Sequence, residues 1–528
     1  MAPPKTLDHP TFGECELVPS VIAVRWRSPR SLEAARNKLI EYSFAVAKAA
    51  PKANINHSET LTWVSGRVSE AAFTRLGGDR EIAWISRAYR SKQAEPGPRS
   101  YFAINPTTLL LSTEAAAAAG ALAEIDASAS IDQNRSKLLK GFVVLNLPNK
   151  NAVAVAAKIK QKAGSRAVNG IKFENIPYIS PATARGRGGT ASQTPAKAGR
   201  RSPARSELIP NDPFYPRQWG LQRINASRAW PISEGDPNVV IAVLDEGVEL
   251  GHPDLNLWPI SYSTITHTND GSPVGNHGTA CAGIIGGRIN NAMGVSGLAG
   301  KCRVMSISTN FVDTEVAEGL YFAADNGARV VNMSFGVYPS QMVWDFTIIE
   351  AALQYCQQKN VLLVAATGNE DQNVSRFPAT DPRTIGVGGS NKADMRKAIG
   401  DTSSEPTWGA CYGPDVDFVA PCLEIPTTDR LGTAGYTRTD YFMFFRGTSA
   451  ATPHVSAVAG LIISVNPTLT NEEVWRIISE TSDKINPGTY VYLPTGGKPY
   501  GTWNNEVGYG RINAERALLV ASAARRTG

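Results

Sequence analysis

The sequence has few of the features that mark exported, membrane or disulfide-rich proteins. Its six cysteines form no C-x-x-C pair and no zinc-ligand spacing. Residues 1–20 contain no basic start followed by an apolar run, and the most apolar stretch, residues 109–123, is interrupted by polar residues and too short to span a bilayer. These absences predict a cytoplasmic protein without a membrane segment and with mostly reduced cysteines. Cys411 and Cys422 remain a candidate pair if the protein is exported.

An excess of one charge is also missing. The 53 Lys and Arg residues against 47 Asp and Glu residues give a net charge of only +6 over 528 residues. Six of the basic residues lie in the segment 182–208, so the rest of the chain is close to neutral, which argues against nucleic-acid binding. This segment is rich in Arg, Gly, Ser and Pro and is interpreted first as an exposed, cleavable linker. A short RGG-like nucleic-acid-binding tract and an uncut tether are the alternatives.

The chain on either side of this linker has two different patterns. Residues 1–139 mix strand-like and helix-like stretches without a recognisable motif, and residues 140–181 follow a strand, helix, strand pattern typical of a small α+β unit. Within residues 209–528, apolar runs alternate with helix-like segments. They predict an α/β fold, a mainly parallel sheet with helices on both faces, whose functional groups lie at the carboxyl ends of the strands.

Two polar residues stand where that sheet would place a site. Asp245 directly follows the apolar run VVIAVL, where a carboxylate can cap a turn, bind a metal or hold a histidine. His277 begins the small-residue stretch HGTACAGII, 32 residues later. A histidine at such a helix start is either structural or a base, since a carboxylate that fixes one imidazole nitrogen leaves the other free to accept a proton.

Ser449 lies at the predicted start of a helix, in GTSAATPHVSAVAG. Gly447 permits a sharp turn before it, and the unpaired amides of a helix start favour negative charge beside the hydroxyl. The serine is therefore either a helix cap or a nucleophile. His454, on the same helix, is interpreted as a packing residue.

Taken together, these stretches resemble the subtilisin-like serine proteases. The resemblance covers residues 211–518 and includes the order Asp, His, Ser. The matching stretches are, in chain order, VIAVLDEGVELGHPDL, NHGTACAGII, VNMSFG, VAATGNE, RFPAT and GTSAATPHVSAVAG.

The resemblance assigns catalytic roles to four residues. It implies that Asp245 orients the base, His277 is the general base, Ser449 is the nucleophile and Asn369 donates to the oxyanion. Binding of an extended peptide substrate as an added strand is implied for Ser334, Phe335 and Gly336.

The same resemblance leaves the P1 preference open. Glu370 lies at the rim of the implied pocket, where it would attract a basic P1 residue. Arg376 lies near the implied floor, where it would attract an acidic residue or pair with Glu370. Of these, a basic P1 residue is the expectation.

The stretch RINNAMGVSG resembles the family's calcium-binding loop. The implied ligands of a structural Ca²⁺ are the side chains of Asp212, Asp254 and Asn291 and the carbonyls of Ile289, Met293 and Val295. Such an oxygen set suits a hard cation, and an ordinary surface loop is the alternative.

The resemblance also implies that the enzyme is made as a zymogen. Residues 1–139 are expected to be an accessory region or an enlarged prosegment, 140–181 a propeptide-like inhibitor and chaperone, 182–208 the autoprocessed linker and 209–528 the catalytic domain. The expected partners are peptide substrates and the protein's own prosegment, with no nucleic acid and no membrane. A catalytically silent binding module would need a broken triad, and an α/β-hydrolase would show G-x-S-x-G; the chain shows neither.

Overall fold

The computed structural model describes residues 207–338, 340 and 345–527. Before these it describes residues 6–9, 13–27, 35, 55–57, 61–65, 73, 75–76, 79–92, 102–112, 116, 128–140, 142–148, 152–163 and 171–177. The predicted linker therefore lies outside the described residues except for Glu207 and Leu208.

The segments before residue 178 form a nine-stranded antiparallel sheet. Its strands are β1 (Thr6–His9), β2 (Gly13–Trp26), β3 (Ile55–His57), β4 (Leu61–Ser65), β5 (Ile82–Ser91), β6 (Phe102–Ser112), β7 (Ser130–Ile131), β8 (Phe142–Asn146) and β9 (Ile171–Pro177). Helices α1 (Gln133–Leu138) and α2 (Ala152–Ala163) belong to the same region. The strand order is β3-β4-β2-β5-β6-β8-β7, with β1 paired to β2 and β9 paired to β6.

The strand, helix, strand pattern of residues 140–181 is present as β8, α2 and β9. The two strands run parallel to each other, but they do not pair, because both are antiparallel to β6, which lies between them. This is a split βαβ unit. The sheet thus crosses the boundary expected between residues 139 and 140, since β6 comes from the residues assigned to the accessory region.

A seven-stranded sheet forms the centre of the region after residue 207. Its strands are β10 (Val240–Asp245), β11 (Tyr262–Ser263), β12 (Arg303–Ser308), β13 (Ala328–Met333), β14 (Leu362–Ala366), β15 (Thr384–Ser390) and β16 (Phe418–Pro421). The order is β11-β12-β10-β13-β14-β15-β16, and all neighbours are parallel. Two antiparallel hairpins lie outside it, formed by β17 (Ile425–Thr428) with β18 (Tyr441–Phe445) and by β19 (Leu493–Thr495) with β20 (Lys498–Trp503).

Helices cover both faces of the parallel sheet. They are α3 (Trp219–Arg223), α4 (Ala226–Ala229), α5 (His277–Gly286), α6 (Asp313–Asp325), α7 (Phe346–Gln358), α8 (Thr448–Val465), α9 (Asn471–Thr481) and α10 (Ala514–Thr527). Within β10, Ile241 and Val243 pack in the core that contains α5 and α8, whereas Val240, Ala242 and Leu244 pack in the core that contains α6 and α7. Both faces of each strand are thus buried, which explains the unbroken apolar runs. The predicted α/β fold is confirmed.

One described helix, α8, is long and apolar enough to cross a membrane by length and composition alone. Its 18-residue window has a mean hydropathy of 1.3, and 89% of that window is buried inside the protein. A core helix gives the same signal.

The N-terminal sheet contacts the outer helices through buried charges. Arg135 of α1 donates from Nη2 to Glu174 Oε1 at 2.7 Å and from Nε to Glu318 Oε2 of α6 at 3.2 Å. Thr314 donates to the same Glu174 oxygen at 2.6 Å. Burial alone would raise the pKa of Glu174, but Arg135 and the hydrogen bonds lower it to about 2. We call Arg135, Glu174, Thr314 and Glu318 the Arg135 cluster.

A second buried contact joins the same two regions. Asn175 of β9 donates to Asp313 at the start of α6, from its amide at 3.2 Å and from its side chain at 3.0 Å. Nearby, Arg25 of β2 forms an ion pair with Glu315 at 3.4 Å.

Candidate active site

Asp245 is the last residue of β10 and is fully buried. Its strand lies near the middle of the parallel sheet, between β12 and β13, so its carboxylate is held away from water by structure on both sides. The amide of Glu246 donates to Asp245 Oδ1 at 2.8 Å. The carboxylate is therefore placed at the carboxyl end of a strand, as the sequence predicts.

His277 is the first residue of α5 and meets Asp245 side chain to side chain. Its Nδ1 lies 3.0 Å from both Asp245 Oδ1 and Oδ2. Burial alone would lower the pKa of His277, but Asp245 and Cys281 raise it well above the ordinary imidazole value. The ring of Phe445 lies edge-on to the imidazole at 5.3 Å. These contacts fix the ring and leave Nε2 as the nitrogen that Asp245 does not hold.

Ser449 is the second residue of α8 and is 8% exposed. Gly447 is the N-cap residue before α8 and has a φ of 99°, a positive value that glycine adopts without strain. The Ser449 hydroxyl donates to the Ser334 carbonyl at 3.0 Å. Its backbone amide lies in the first turn of α8, where amides have no acceptor within the helix, so it is available to an external acceptor.

Asn369 follows β14 and lies against the start of α8. Its Oδ1 accepts from the Thr448 amide at 2.8 Å and from the Thr448 hydroxyl at 3.0 Å. A Cβ added at Gly447 would lie 3.2 Å from Asn369 Nδ2. The carbonyl half of the side chain is therefore engaged with the helix, and the amide half lies beside the turn that carries Ser449.

The residues expected at the substrate pocket form a closed polar group. Glu370 accepts from the Tyr338 hydroxyl at 2.7 Å and from the Asn369 amide at 2.9 Å, and it forms an ion pair with Arg376. Arg376 Nη1 also donates to the Gly336 carbonyl at 3.1 Å. Of the alternatives left open by the sequence, pairing of Arg376 with Glu370 is the one observed.

Sequence reasoning missed two residues next to His277. Cys281 follows it by four positions on α5, a spacing that puts both on one helix face, and its Sγ lies 3.8 Å from His277 Nδ1. The ligand atoms of Asp245, His277 and Cys281 all lie within 4.8 Å of one another, which by distance alone would suit a metal ion. The hydrogen bonds from His277 to Asp245 account for this closeness. Glu246, directly after Asp245, is the second missed residue.

His454 is a packing residue, as the sequence predicts. It is 1% exposed, and its Nδ1 lies 2.8 Å from the Ala450 carbonyl within the same helix. Burial lowers the pKa of His454 to about 4.

The residues expected to bind calcium lie together beside the α5 C-terminus. Asp212 is 2% exposed and accepts hydrogen bonds from the amides of Asn290 and Asn291, both at 2.9 Å, and from the Ser296 hydroxyl at 2.6 Å. These bonds hold the loop 289–295 against a carboxylate reached from 77 positions before its first residue.

Asp254 is the second carboxylate of this group and is fully buried. It accepts from Asn291 Nδ2 at 2.7 Å and from the Val295 amide at 3.0 Å. Burial, and to a lesser degree the charge of Asp212, raises the pKa of Asp254 to about 6. Two buried carboxylates thus face each other's charge, an arrangement that a cation would stabilise.

Comparison with known proteins identifies the family. The model described as "Subtilase family" matches residues 236–510. Thermitase from Thermoactinomyces vulgaris is 34% identical over 317 residues, which cover 58% of this chain and 99% of thermitase. The halolysin-like extracellular serine protease Nep from Natrialba magadii is 28% identical over 323 residues, 59% of this chain and 53% of that protein.

One solved structure is similar over more than the region after residue 207. Fervidolysin from Fervidobacterium pennivorans, a keratinolytic enzyme related to subtilisin, superposes with a TM-score of 0.57 and 21% identity over 78% of this chain and 61% of that chain. Residues 207–528 are 322 of 528, or about 61%, so the shared fold includes part of the N-terminal region.

The prediction of a cytoplasmic location is wrong. One relative, Nep, is named as an extracellular serine protease, and another is named as the cell wall-associated protease of Bacillus subtilis. The prediction relied on the composition of a short terminal stretch, and neither the fold nor the charge balance of the folded region specifies a compartment.

The family assignment rests on how much of the chain and of its relatives the comparisons cover. The family model covers 275 residues (236–510) of the 528, and thermitase is matched over nearly its whole length. The chain belongs to the subtilase family of serine endopeptidases.

Proposed function

We propose that Asp245, His277, Ser449 and Asn369 carry out the peptide-bond hydrolysis of this endopeptidase. The observation that supports this most directly is the pair of 3.0 Å contacts between His277 Nδ1 and the Asp245 carboxylate. The helix that His277 begins also contacts the nucleophile's residue, since Cys281 Sγ lies 3.7 Å from the Ser449 carbonyl. The buried acid keeps the imidazole in the tautomer whose Nε2 accepts a proton.

In the proposed mechanism, Ser449 Oγ attacks the substrate carbonyl while its proton moves to His277 Nε2. The oxyanion of the tetrahedral intermediate accepts from Asn369 Nδ2 and the Ser449 amide. The imidazolium then protonates the leaving amine, and water hydrolyses the acyl-enzyme by the same steps in reverse order. Before attack, the Ser449 hydroxyl has to leave the Ser334 carbonyl to which it donates.

A fluorophosphonate probe tests the assignment of the nucleophile. We expect the probe to label the wild type at Ser449 and not to label Ser449→Ala, with Ser456→Ala as the matched control, since Ser456 lies on the same helix but donates to Asn332. Equal labelling of wild type and Ser449→Ala would contradict the proposal.

We propose that the P1 pocket takes an uncharged side chain, in place of the basic residue expected from the sequence. Glu370 is engaged by Tyr338, the Asn369 amide and Arg376, so its charge is already balanced. A Lys or Arg at P1 would bring a second cation close to Arg376. Rates on matched peptides with Leu, Arg and Glu at P1 test this, and a preference for Arg would overturn it.

We propose that the enzyme is a zymogen whose prosegment includes residues 102–177. Strand β6 is needed in this unit because it joins β8 and β9. The Arg135 cluster and the bonds from Asn175 to Asp313 bury this unit against α6. Autoprocessing is proposed within residues 182–208, between this prosegment unit and the catalytic domain.

N-terminal sequencing tests the processing. The purified wild type should begin within or after the linker, and Ser449→Ala should keep the original N-terminus. Identical N-termini in the two proteins would contradict autoprocessing.

We also propose that the Asp212 and Asp254 group holds one structural Ca²⁺. Calcium of this kind is common in subtilases. The carbonyls of Ile289, Met293 and Val295 are also implied ligands. Among the turn and loop hydrogen bonds of the described residues, no backbone amide donates to these carbonyls, which supports their role as ligands. Asn291 now presents Nδ2 to Asp254, so its amide group has to turn over to offer its oxygen.

Melting in calcium and in a chelator tests this site, in the Ser449→Ala background to prevent autolysis. We expect the chelator to lower Tm by several degrees, because a ligand bound only to the native state stabilises it. Asp254→Asn should remove the calcium dependence, and Asp270→Asn on an exposed loop should keep it. A chelator without effect on Tm would contradict the site.

A further inference from the structure

The carboxylate of Glu246 lies at the start of helix α5, which carries His277. Its Oε2 accepts from the His277 amide at 3.2 Å, and the Asn276 amide makes a second hydrogen bond to it. Asn276, the residue at the N-cap position, makes no capping bond with its own side chain. Glu246 therefore satisfies the unpaired amides of this helix from the neighbouring strand end.

The surrounding backbone fits this carboxylate closely. A Cβ added at Gly275 would lie 2.0 Å from Glu246 Oε2, so any side chain there would displace the carboxylate. The Glu246 amide donates to Asp245, and its carbonyl accepts from the Val274 amide at 2.7 Å. Two consecutive acids thus hold one histidine, Asp245 by the ring and Glu246 by the backbone.

The titratable groups around His277 are the carboxylates of Asp245 and Glu246, the thiol of Cys281 and the phenol of Tyr436. Burial raises the pKa of both Cys281 and Tyr436, so these two groups are neutral and the two carboxylates supply the negative charge. The pKa of Glu246 is raised overall, by burial and then by Asp245, while His277 and the backbone bonds act in the opposite direction. The ionised forms of Glu246 and of protonated His277 therefore stabilise each other.

We propose that Glu246 is a positioning residue, whose carboxylate fixes the helix start that carries His277 and stabilises the imidazolium formed when Ser449 attacks. This inference rests on the proposed roles of His277 and Ser449. The carboxylate acts through His277 and does not touch the substrate. It is most effective in the transition state, where the imidazole is protonated.

The pH dependence of kcat/KM for Glu246→Gln tests the inference, because glutamine keeps the size and an acceptor but removes the charge. The acid limb should move to lower pH by up to about one unit, and the plateau kcat should fall by up to about tenfold with little change in KM. Glu246→Asp keeps the charge, so its acid limb should stay near that of the wild type. Gly275→Ala displaces the carboxylate and should shift the limb in the same direction as Glu246→Gln.

Glu249→Gln is the matched control. It removes a carboxylate from the same loop, but one that pairs with Arg430 at 3.7 Å, and should leave the acid limb unchanged. An acid limb of Glu246→Gln at the wild-type position, even with a lower Tm, would overturn the inference and leave Glu246 as a helix cap only. Full activity of Ser449→Ala would instead overturn the proposed function, so the two failures are distinguishable.

Discussion

The buried charges beside Ser449 and those beneath the N-terminal sheet differ in how completely they are paired. At the proposed active site, Asp245 holds one nitrogen of His277, whose side chain stays 20% exposed. In the Arg135 cluster, the side chains of Arg135 and Glu318 are 4% and 0% exposed, and two parts of the guanidinium bind two carboxylates. One arrangement leaves a partly exposed imidazole with a nitrogen that Asp245 does not hold, and the other pairs each of its charges.

This difference separates two uses of the same electrostatics. A buried ionisable group can take part in acid–base chemistry when one of its atoms stays accessible to the reacting group. A cluster in which every charge is paired contributes little net stability but makes separation of the surfaces costly, because it would leave charges without partners. The first use predicts effects on rate, and the second predicts effects on the contact between regions.

The largest effect on rate is expected from removing either member of the Asp245 and His277 pair. His277→Ala should lower kcat on the order of 10⁶-fold and Asp245→Asn on the order of 10⁴-fold, since the base is lost in one variant and only misdirected in the other. Steady-state rates on a peptide substrate measure both. Equal, small losses would show that this pair is not the catalytic one.

Asn369 tests the side of the site where the oxyanion forms. Asn369→Asp keeps an acceptor for the Thr448 amide but loses the amide donor, so kcat should fall about 10²–10³-fold with an almost unchanged Tm. Asn369→Ala should lose the same rate and also some stability, because it removes the bonds to the start of α8. A normal rate for Asn369→Asp would exclude the proposed donor.

Breaking the closed arrangement should affect the contact and leave the chemistry intact. In Ser449→Ala, the further change Arg135→Met leaves Glu174 buried without a cation, and Glu318 keeps only its contacts with Tyr262 and His267. Removing one partner of a buried pair in this way costs roughly 3–5 kcal/mol. Trypsin should then cut the N-terminal region roughly 10²–10⁴-fold faster, which is the same free energy expressed as a ratio of rates. Lys140→Met removes a half-exposed pair with Asp325 and should change the rate only slightly. Similar rates for both variants would contradict the comparison.

The smallest effect concerns the pH profile of the wild type. The pKa of His277 is raised, and only the neutral imidazole accepts a proton, so kcat/KM should fall as pH drops through that pKa. The midpoint of the acid limb should lie above about 6.5, the ordinary value for histidine. A midpoint below that value would mean that Asp245 does not favour the charged imidazole.

The catalytic region was predictable because its evidence is local. Asp245, His277 and Ser449 each stand at the end of a strand or the start of a helix, in stretches of about ten residues that can be compared with a family. The apolar run VVIAVL, residues 239–244, predicted β10 (Val240–Asp245) to within one residue at each end, because a strand buried on both faces is apolar throughout.

The N-terminal region was less predictable because its pairings are non-local. Strand β6 pairs with β8 and β9, although 29 residues lie between β6 and β8 and 58 between β6 and β9. No pattern within residues 102–112 predicts which strands these will pair with. The same holds for Arg135, whose two carboxylates lie 39 and 183 positions away. For Glu370 and Arg376, the sequence allowed attraction of a basic P1 residue, attraction of an acidic P1 residue, or an ion pair between the two. The positions of the side chains show the ion pair.

The sequence by itself determined the fold of the region after residue 207, the order of Asp245, His277 and Ser449, and the chemistry these residue types allow. The tertiary structure decided which charged groups keep an exposed atom and which are fully paired and buried. In the folded protein, Glu370 forms an ion pair with Arg376, and Arg135 pairs with both Glu174 and Glu318. Glu246 accepts hydrogen bonds from the amides that begin α5. The physical reason is that pairing of a buried charge depends on distances between elements, and these distances are set only when the sheets and helices pack.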